Sequence, residues 1–368
     1  MPLPDLRDQA EPYVPDERLE HLRTFDLDLT FTAGIWYFTP SDSRFHDKYK
    51  PDRSIEERLE MAAPLRDDGL VGLEAHYPNE INEENLDLWQ DFADDTGIRI
   101  VTVIPLLFYD EDFEFGSLSN PDDAVRDKAI GRLKRSLELN KELGTDFCVV
   151  WPGIDGVEKS FGADFMQMRA FEPKPYEPRG TILFPTTPEG VLLGRQVESM
   201  LEADVNRDLL AEGHSLVGMN PEVGHVHMGY EDLAYAFSWP LSEGRLAHTH
   251  WNSQPLGNYD QDQNVGAISP EQAEALLYLL KLHGYQGHFG LDINPERMPV
   301  TTALRISMDA LRAMNDRVNA LDHEAILEAR QNPSDHRGRI EALLVQARAP
   351  RSERLSATEE IARGGSDG

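Results

Sequence analysis

Short apolar runs alternate along this chain with longer stretches whose apolar positions recur at helical spacing. Asp28–Trp36 (DLTFTAGIW) reads as a strand. Ser54–Arg66 reads as a helix, with Ser54 at the N-cap and glutamates in the first turn. The couplet recurs at Val71–Ala75 with Glu83–Thr96, and at Ile98–Ile104 with Pro121–Leu143. Asp146–Trp151 and Leu216–Met219 read as further strands, Arg245–His250 precedes a helix over Pro270–His283, and His288–Asp292 precedes one over Thr301–Asn315. With one more strand ending at Glu172, eight strands alternate with helices and no long linker separates them. That pattern predicts an α/β fold, a (β/α)8 TIM barrel over residues 27–318. Residues 1–26 are polar and Pro-rich and read as an N-terminal arm. Residues 319–368 read as a short C-terminal helical extension ending in a disordered tail. Between Trp151 and Glu172 lie only 20 residues, too few for a full crossover helix and a strand, so the fourth crossover is expected to be short or to lack its helix.

Composition narrows the partners. The net charge is −31, and only 8 of the 35 basic residues are Lys. Nucleic acid and anionic membranes are excluded as partners, because phosphate recognition needs clustered Lys and Arg. An acidic, Lys-poor surface also suits solubility at high salt. The single Cys148 rules out an internal disulfide and sits in an apolar run, where a buried inert thiol is expected. No basic segment followed by an apolar run opens the chain, and no stretch of ~18 apolar residues occurs. A cytoplasmic, soluble protein is expected.

Side chains able to hold a metal are densest in Leu246–Gly266 (LAHTHWNSQPLGNYDQDQNVG). A strand there places His248, His250 and Asn252 on one face. Asp260 and Asp262 repeat the i, i+2 spacing, with Asn252, Gln254 and Gln261 as hydrogen-bonding support for the ligands. In Asn220–Met228 (NPEVGHVHM), Glu222 and His225 stand three apart, a spacing that lets both turn to one ion, and His227 reads as a bystander. Prolines on either side of Lys174 in FEPKPYEPRG pin a loop that carries both an acid and an amine. His76, Trp151, Glu172, Glu222, His250 and Asp292 fall at or just beyond predicted strand ends, which a closed barrel points toward one mouth.

From Phe171 onward FEPKPYEPRGTILFPT, NPEVGHVHM, LAHTHWNSQ, YDQDQNVG and GLDINPER resemble, in order and spacing, the motifs of the xylose isomerase family. The similarity is thinner around GIW at Trp36 and CVVWPGIDG at Trp151. The resemblance implies an aldose–ketose isomerase that moves hydride between C1 and C2 of a sugar such as D-xylose, assisted by two divalent ions (Mn²⁺, Co²⁺ or Mg²⁺). It implies that Glu172, Glu222, Asp292 and His250 hold the first ion, and that Glu222 is shared with a second, completed by His225, Asp260 and Asp262. Lys174 then binds the oxygen on C1 and His76 opens the ring, oriented by Glu80 or Glu74. Trp36, Phe108 and Trp151 wall the pocket, and Phe45 matches an aromatic contributed to a neighbouring subunit, so a homo-oligomer, dimer or tetramer, is implied. His250 stands where the family usually has aspartate, which favours a borderline metal over Mg²⁺. The same position resembles rhamnose isomerases and ketose 3-epimerases. A related isomerase, epimerase or lyase is therefore the alternative, and a catalytically silent sugar or metal sensor a third reading.

Overall fold

A computed structural model describes residues 15–40, 48, 51–157, 173–177 and 180–349. Phe45, Glu172, most of the short crossover and the tail beyond 349 lie outside the described residues.

Five strands form a parallel sheet in the order β3-β2-β1-β8-β7: β1 Phe31–Gly34, β2 Leu70–Tyr77, β3 Arg99–Pro105, β7 His250–Trp251 and β8 Phe289–Leu291. Parallel bridges Met219↔Leu246 and Glu222↔His250 carry the sheet on to the segment before Glu222. On the other side Val149 N donates to Thr102 Oγ1, which sets the 147–151 segment beside β3 without a backbone ladder. The predicted strand at Asp146–Trp151 is thus an extended segment rather than a regular strand, and Leu216–Met219 joins the sheet only at Met219, whose amide donates to Arg245 O and whose carbonyl accepts from Ala247 N. Between β3 and β7, β4 Gly156–Val157, β5 Tyr176–Glu177 and β6 Gly180–Ile182 form a small antiparallel sheet in the order β4-β6-β5.

Alternation along the strands divides their side chains. Phe31, Ala33, Leu73 and Ala75 join the apolar core beneath the helices. Thr32, Glu74 and His76, at the intervening positions, are buried polar residues.

The helices follow their local signals. Ser54 and Glu57 close a capping box on α2 Ile55–Ala62, and Gly97 takes the left-handed conformation that ends α3 Leu86–Thr96. Asp122 caps α4 Asp123–Leu143. Next come α5 Thr187–Glu198, α6 Asp204–Ala211, α7 Val223–Met228, α8 Leu233–Ser242, α9 Pro270–Leu282 and α10 Val300–Asn319. The N-terminal arm contains α1 Pro15–Thr24, fastened to the body by His21 Nε2 against Lys281 O and by Arg23 against Glu324. The C-terminal extension is two helices, α11 His323–Gln331 and α12 Arg339–Arg348. No helix among the described residues is long and apolar enough to cross a membrane.

Candidate metal centre and active site

The chain bends sharply after β1 into a 3-10 turn, Ile35–Phe38, which shortens the predicted strand and brings Trp36 and Tyr37 to the barrel mouth. From there aromatic contacts run in a row. Trp36 meets the His76 ring at 4.4 Å, His76 meets Phe108 edge-on at 5.4 Å, and Phe108 meets Trp151 at 4.5 Å. Lys174 Nζ lies 5.1 Å from the Trp151 ring. The loops that carry Phe108 and Trp151 are tied together by Asp155. It is fully buried and accepts from the amides of Ser117, Leu118 and Ser119 and from both serine hydroxyls, at 2.6–3.1 Å.

Beyond Lys174 the acids converge. Its ammonium contacts Asp260 Oδ2 at 2.8 Å and Glu177 Oε1 at 2.6 Å, and these two partners, outweighing the cost of burial, hold it charged. His225 Nε2 lies 3.3 Å from Glu222 Oε2 and 3.6 Å from Asp260 Oδ2. Glu222, His225 and Asp260 form one trio of convergent ligand atoms, and Glu222, His250 and Asp292 form another. Asp262 stands outside both. Its oxygens accept from Asn252 Nδ2 at 3.1 Å and Tyr37 OH at 3.1 Å, and Asn252 also donates to Glu222 Oε1 at 2.7 Å. Asn252 thus bridges two of the candidate ligands, Glu222 and Asp262. Gln254 and Gln261 do not: Gln254 bonds Asn258 O and Gln261 N, bracing the loop instead.

These residues fit a cation. Burial, opposed by the two imidazoles and reinforced by Asp260 and Asp292, pushes the Glu222 carboxyl up to about 8. Burial and the charges of Asp260, Glu222 and Asp292 raise Asp262 in the same direction. Packing so many carboxylates in a dry volume is unfavourable until a positive charge joins them. Asp260 Oδ1, Asp292 Oδ1 and Asn252 Oδ1 are buried with no hydrogen-bond partner among the described residues, leaving lone pairs for an ion. Oxygen donors with a minority of imidazole suit a divalent cation.

The structure separates the two glutamates considered for His76. Glu80 Oε2 accepts from His76 Nδ1 at 3.0 Å and from its backbone amide at 2.8 Å, with Arg58 Nη1 3.7 Å from the other oxygen. Glu74 lies deeper in the barrel and serves His248 and His250 instead. Its Oε1 accepts from Thr32 Oγ1 at 2.9 Å and meets His248 Nε2 at 3.1 Å, while its Oε2 meets His250 Nε2 at 3.0 Å. The assignment of Glu74 to His76 fails because side chains two apart on a strand share a face but sit about one pleat repeat apart in depth. His227 is a bystander, its Nε2 against Gln272 Oε1 at 3.3 Å. Cys148, expected to be buried, is half-buried, and burial of its thiol pushes the thiol's pKa up to about 12.

Gly290 escaped the sequence reading. A Cβ there would stand 2.7 Å from His248 Nε2, 2.8 Å from His250 Cδ2 and 2.9 Å from Thr249 O, so β8 must be bare for both imidazoles to turn inward. Gly290→Ala is expected to cost about 1–3 kcal/mol by overpacking and to weaken ion binding. Urea melts and chelator competition on one preparation check both effects.

Fold and site together define a (β/α)8 barrel with a metal-fitting acidic centre at its C-terminal mouth. A family profile described as xylose isomerase-like TIM barrel matches residues 62–177. A xylose isomerase of Thermus caldophilus is 30% identical over 296 residues, covering 70% of this chain and 71% of the relative. That of Thermus thermophilus is 28% identical over 292 residues with the same coverage. The chain belongs to the xylose isomerase family of TIM barrels. Among solved structures, a zinc-bound IOLI protein overlaps with a TM-score of 0.49 at 17% identity, covering 79% of this chain and 98% of that one.

Proposed function

We propose that this protein is a two-metal aldose–ketose isomerase converting D-xylose to D-xylulose by a 1,2-hydride shift after ring opening. The observation that carries this reading is the convergence of two ligand trios on a shared Glu222, with Lys174 beside them and the His76–Glu80 pair further along the aromatic row.

Glu222, His250 and Asp292, together with Glu172, would hold one divalent ion, and Glu222, His225, Asp260 and Asp262 the other. Bound there, such ions would supply Lewis-acid polarisation of the oxygens on C1 and C2 of an open-chain sugar. Glu80 keeps the proton on Nδ1 of His76, which leaves Nε2 as the atom that exchanges a proton with the ring oxygen of the cyclic sugar. The Lys174 ammonium donates to the carbonyl oxygen on C1, and Trp36, Phe108 and Trp151 exclude water. Among the described residues the acids at the mouth are all engaged. Asp260 is held by Lys174, Asp262 by Asn252 and Tyr37, and Glu177 by Lys174 and Tyr259. With the remaining acids in the ligand trios, that supports hydride transfer over an enediol route, which needs an uncommitted carboxylate base. The partner is a small sugar, and the working form is a cytoplasmic homo-oligomer, a dimer or tetramer to which Phe45 contributes.

His250, an imidazole among acids, favours one second reading: a related isomerase, ketose 3-epimerase or lyase built on the first ion alone. EDTA-stripped protein re-supplied singly with Mg²⁺, Mn²⁺ or Co²⁺ separates the two. The expected result is metal-dependent xylulose formation from xylose, strongest with Mn²⁺ or Co²⁺. Epimerisation of D-psicose without xylose turnover would favour the second reading, and no turnover of any sugar by ion-loaded protein would sink both.

A further inference from the structure

We propose that Glu74 is a positioning residue for the metal centre: it holds Nε2 of His250 as a hydrogen-bond donor and thereby presents Nδ1 as the ligand atom. The inference deepens the proposed function and rests on that reading of the ions.

Four observations carry it. His250 Nε2 lies 3.0 Å from Glu74 Oε2, while Nδ1 on the other side lies 3.1 Å from Asp292 Oδ2, within the trio that includes Glu222. That buried Nδ1 faces the Asp292 carboxylate and no donor among the described residues, so nothing but a proton or a cation competes for its lone pair. Glu74 is itself immobilised, because its other oxygen is met by the Thr32 hydroxyl and by His248 Nε2. Glu74 and His248 are 1% and 0% exposed, so no water competes for these bonds. A carboxylate that accepts only from Nε2–H fixes both the tautomer and the ring plane of an imidazole ligand and raises its basicity. The Glu74, His248 and His250 trio also has the spacing of a metal site of its own. The bonds argue against that use, since Thr32 and both imidazoles already occupy the two Glu74 oxygens.

The test is the full chain as Glu74→Gln and Glu74→Asp, with folding checked by circular dichroism. Ion stoichiometry and affinity are measured by chelator competition with Mn²⁺ and Zn²⁺, and the imidazole nitrogens are followed by ¹⁵N NMR of histidine-labelled, Zn²⁺-loaded protein. The carboxamide can present its NH₂ to Nε2 and so drive the proton to Nδ1. E74Q is therefore expected to weaken one of the two ions by about 10–100-fold and to remove the metal-bound Nδ1 signal. The other ion should change less than about twofold, and E74D, which keeps the carboxylate, should recover part of the loss. Wild-type affinities and unchanged imidazole signals in a folded E74Q protein would overturn the inference while leaving the metal centre intact. So would three ions in the wild type with one lost in E74Q, which would make Glu74 a ligand. A wild-type chain that takes up no ion would overturn the metal centre, and the inference with it.

Discussion

Turnover of an aldose by Glu222→Gln is expected to fall by about 10³-fold or more, equivalent to roughly 4 kcal/mol of lost transition-state stabilisation. Both ligand trios contain Glu222, so one substitution weakens both ion sites. The carboxamide keeps the size of the side chain but loses the charge, and its NH₂ would face either Asn252 Nδ2 or the His225 side, where an acceptor is required. The fold should survive, because burial already pushes this carboxyl toward its neutral form. Ion content per chain and kcat, measured on the same sample, check the result. A variant that retains two ions and more than about a tenth of the activity would remove Glu222 from the centre of the mechanism.

Stability has a different focus. Glu198→Ala is expected to destabilise the fold by about 3–5 kcal/mol, because it breaks a buried ion pair from one side only. Glu198, in the last turn of α5, accepts a two-pronged contact from Arg245, Nη1 to Oε1 at 2.8 Å and Nη2 to Oε2 at 2.6 Å. Its Oε1 also accepts from the amides of Leu216 and Val217 at 2.7 and 2.9 Å. One carboxylate thus takes up the Leu216 and Val217 amides, next to the ladder that Met219 makes with Arg245 and Ala247, and ties both segments to α5. Removing it leaves the buried Arg245 guanidinium without its carboxylate. Burial works against ionisation of Glu198, but Arg245 and the two amides prevail and lower its pKa from the usual 4.5. The stabilisation is therefore complete above that value and is lost as pH falls through the lower folded-state value. Urea denaturation of wild type and E198A at neutral pH and near pH 3 should show the gap between them narrowing at the acidic end. A gap that is constant with pH would assign the cost to packing alone.

The partners of Glu198 and Glu74 could not be read from the chain by periodicity. Glu198 and Arg245 are 47 positions apart, and Glu74 and His250 are 176 apart. What the sequence by itself determined was local or repeating. Apolar runs alternating with helical spacing defined the barrel, Ser54 and Gly97 set helix ends, and the i, i+2 spacing set His248, His250 and Asn252 on one face. Each of these depends on neighbours within a turn or a pleat. The candidate ligand residues were legible for the same reason, since acids and imidazoles at strand ends can only gather at the mouth of a closed barrel. Tertiary structure alone decided which partner each group takes. It gave His76 to Glu80 and the two deeper imidazoles to Glu74, set Asp262 one hydrogen bond away from the trios, and required Gly290 to be bare. Hydrogen bonds reach about 3 Å, and depth within the barrel, which no spacing along the chain encodes, determines which atoms come that close.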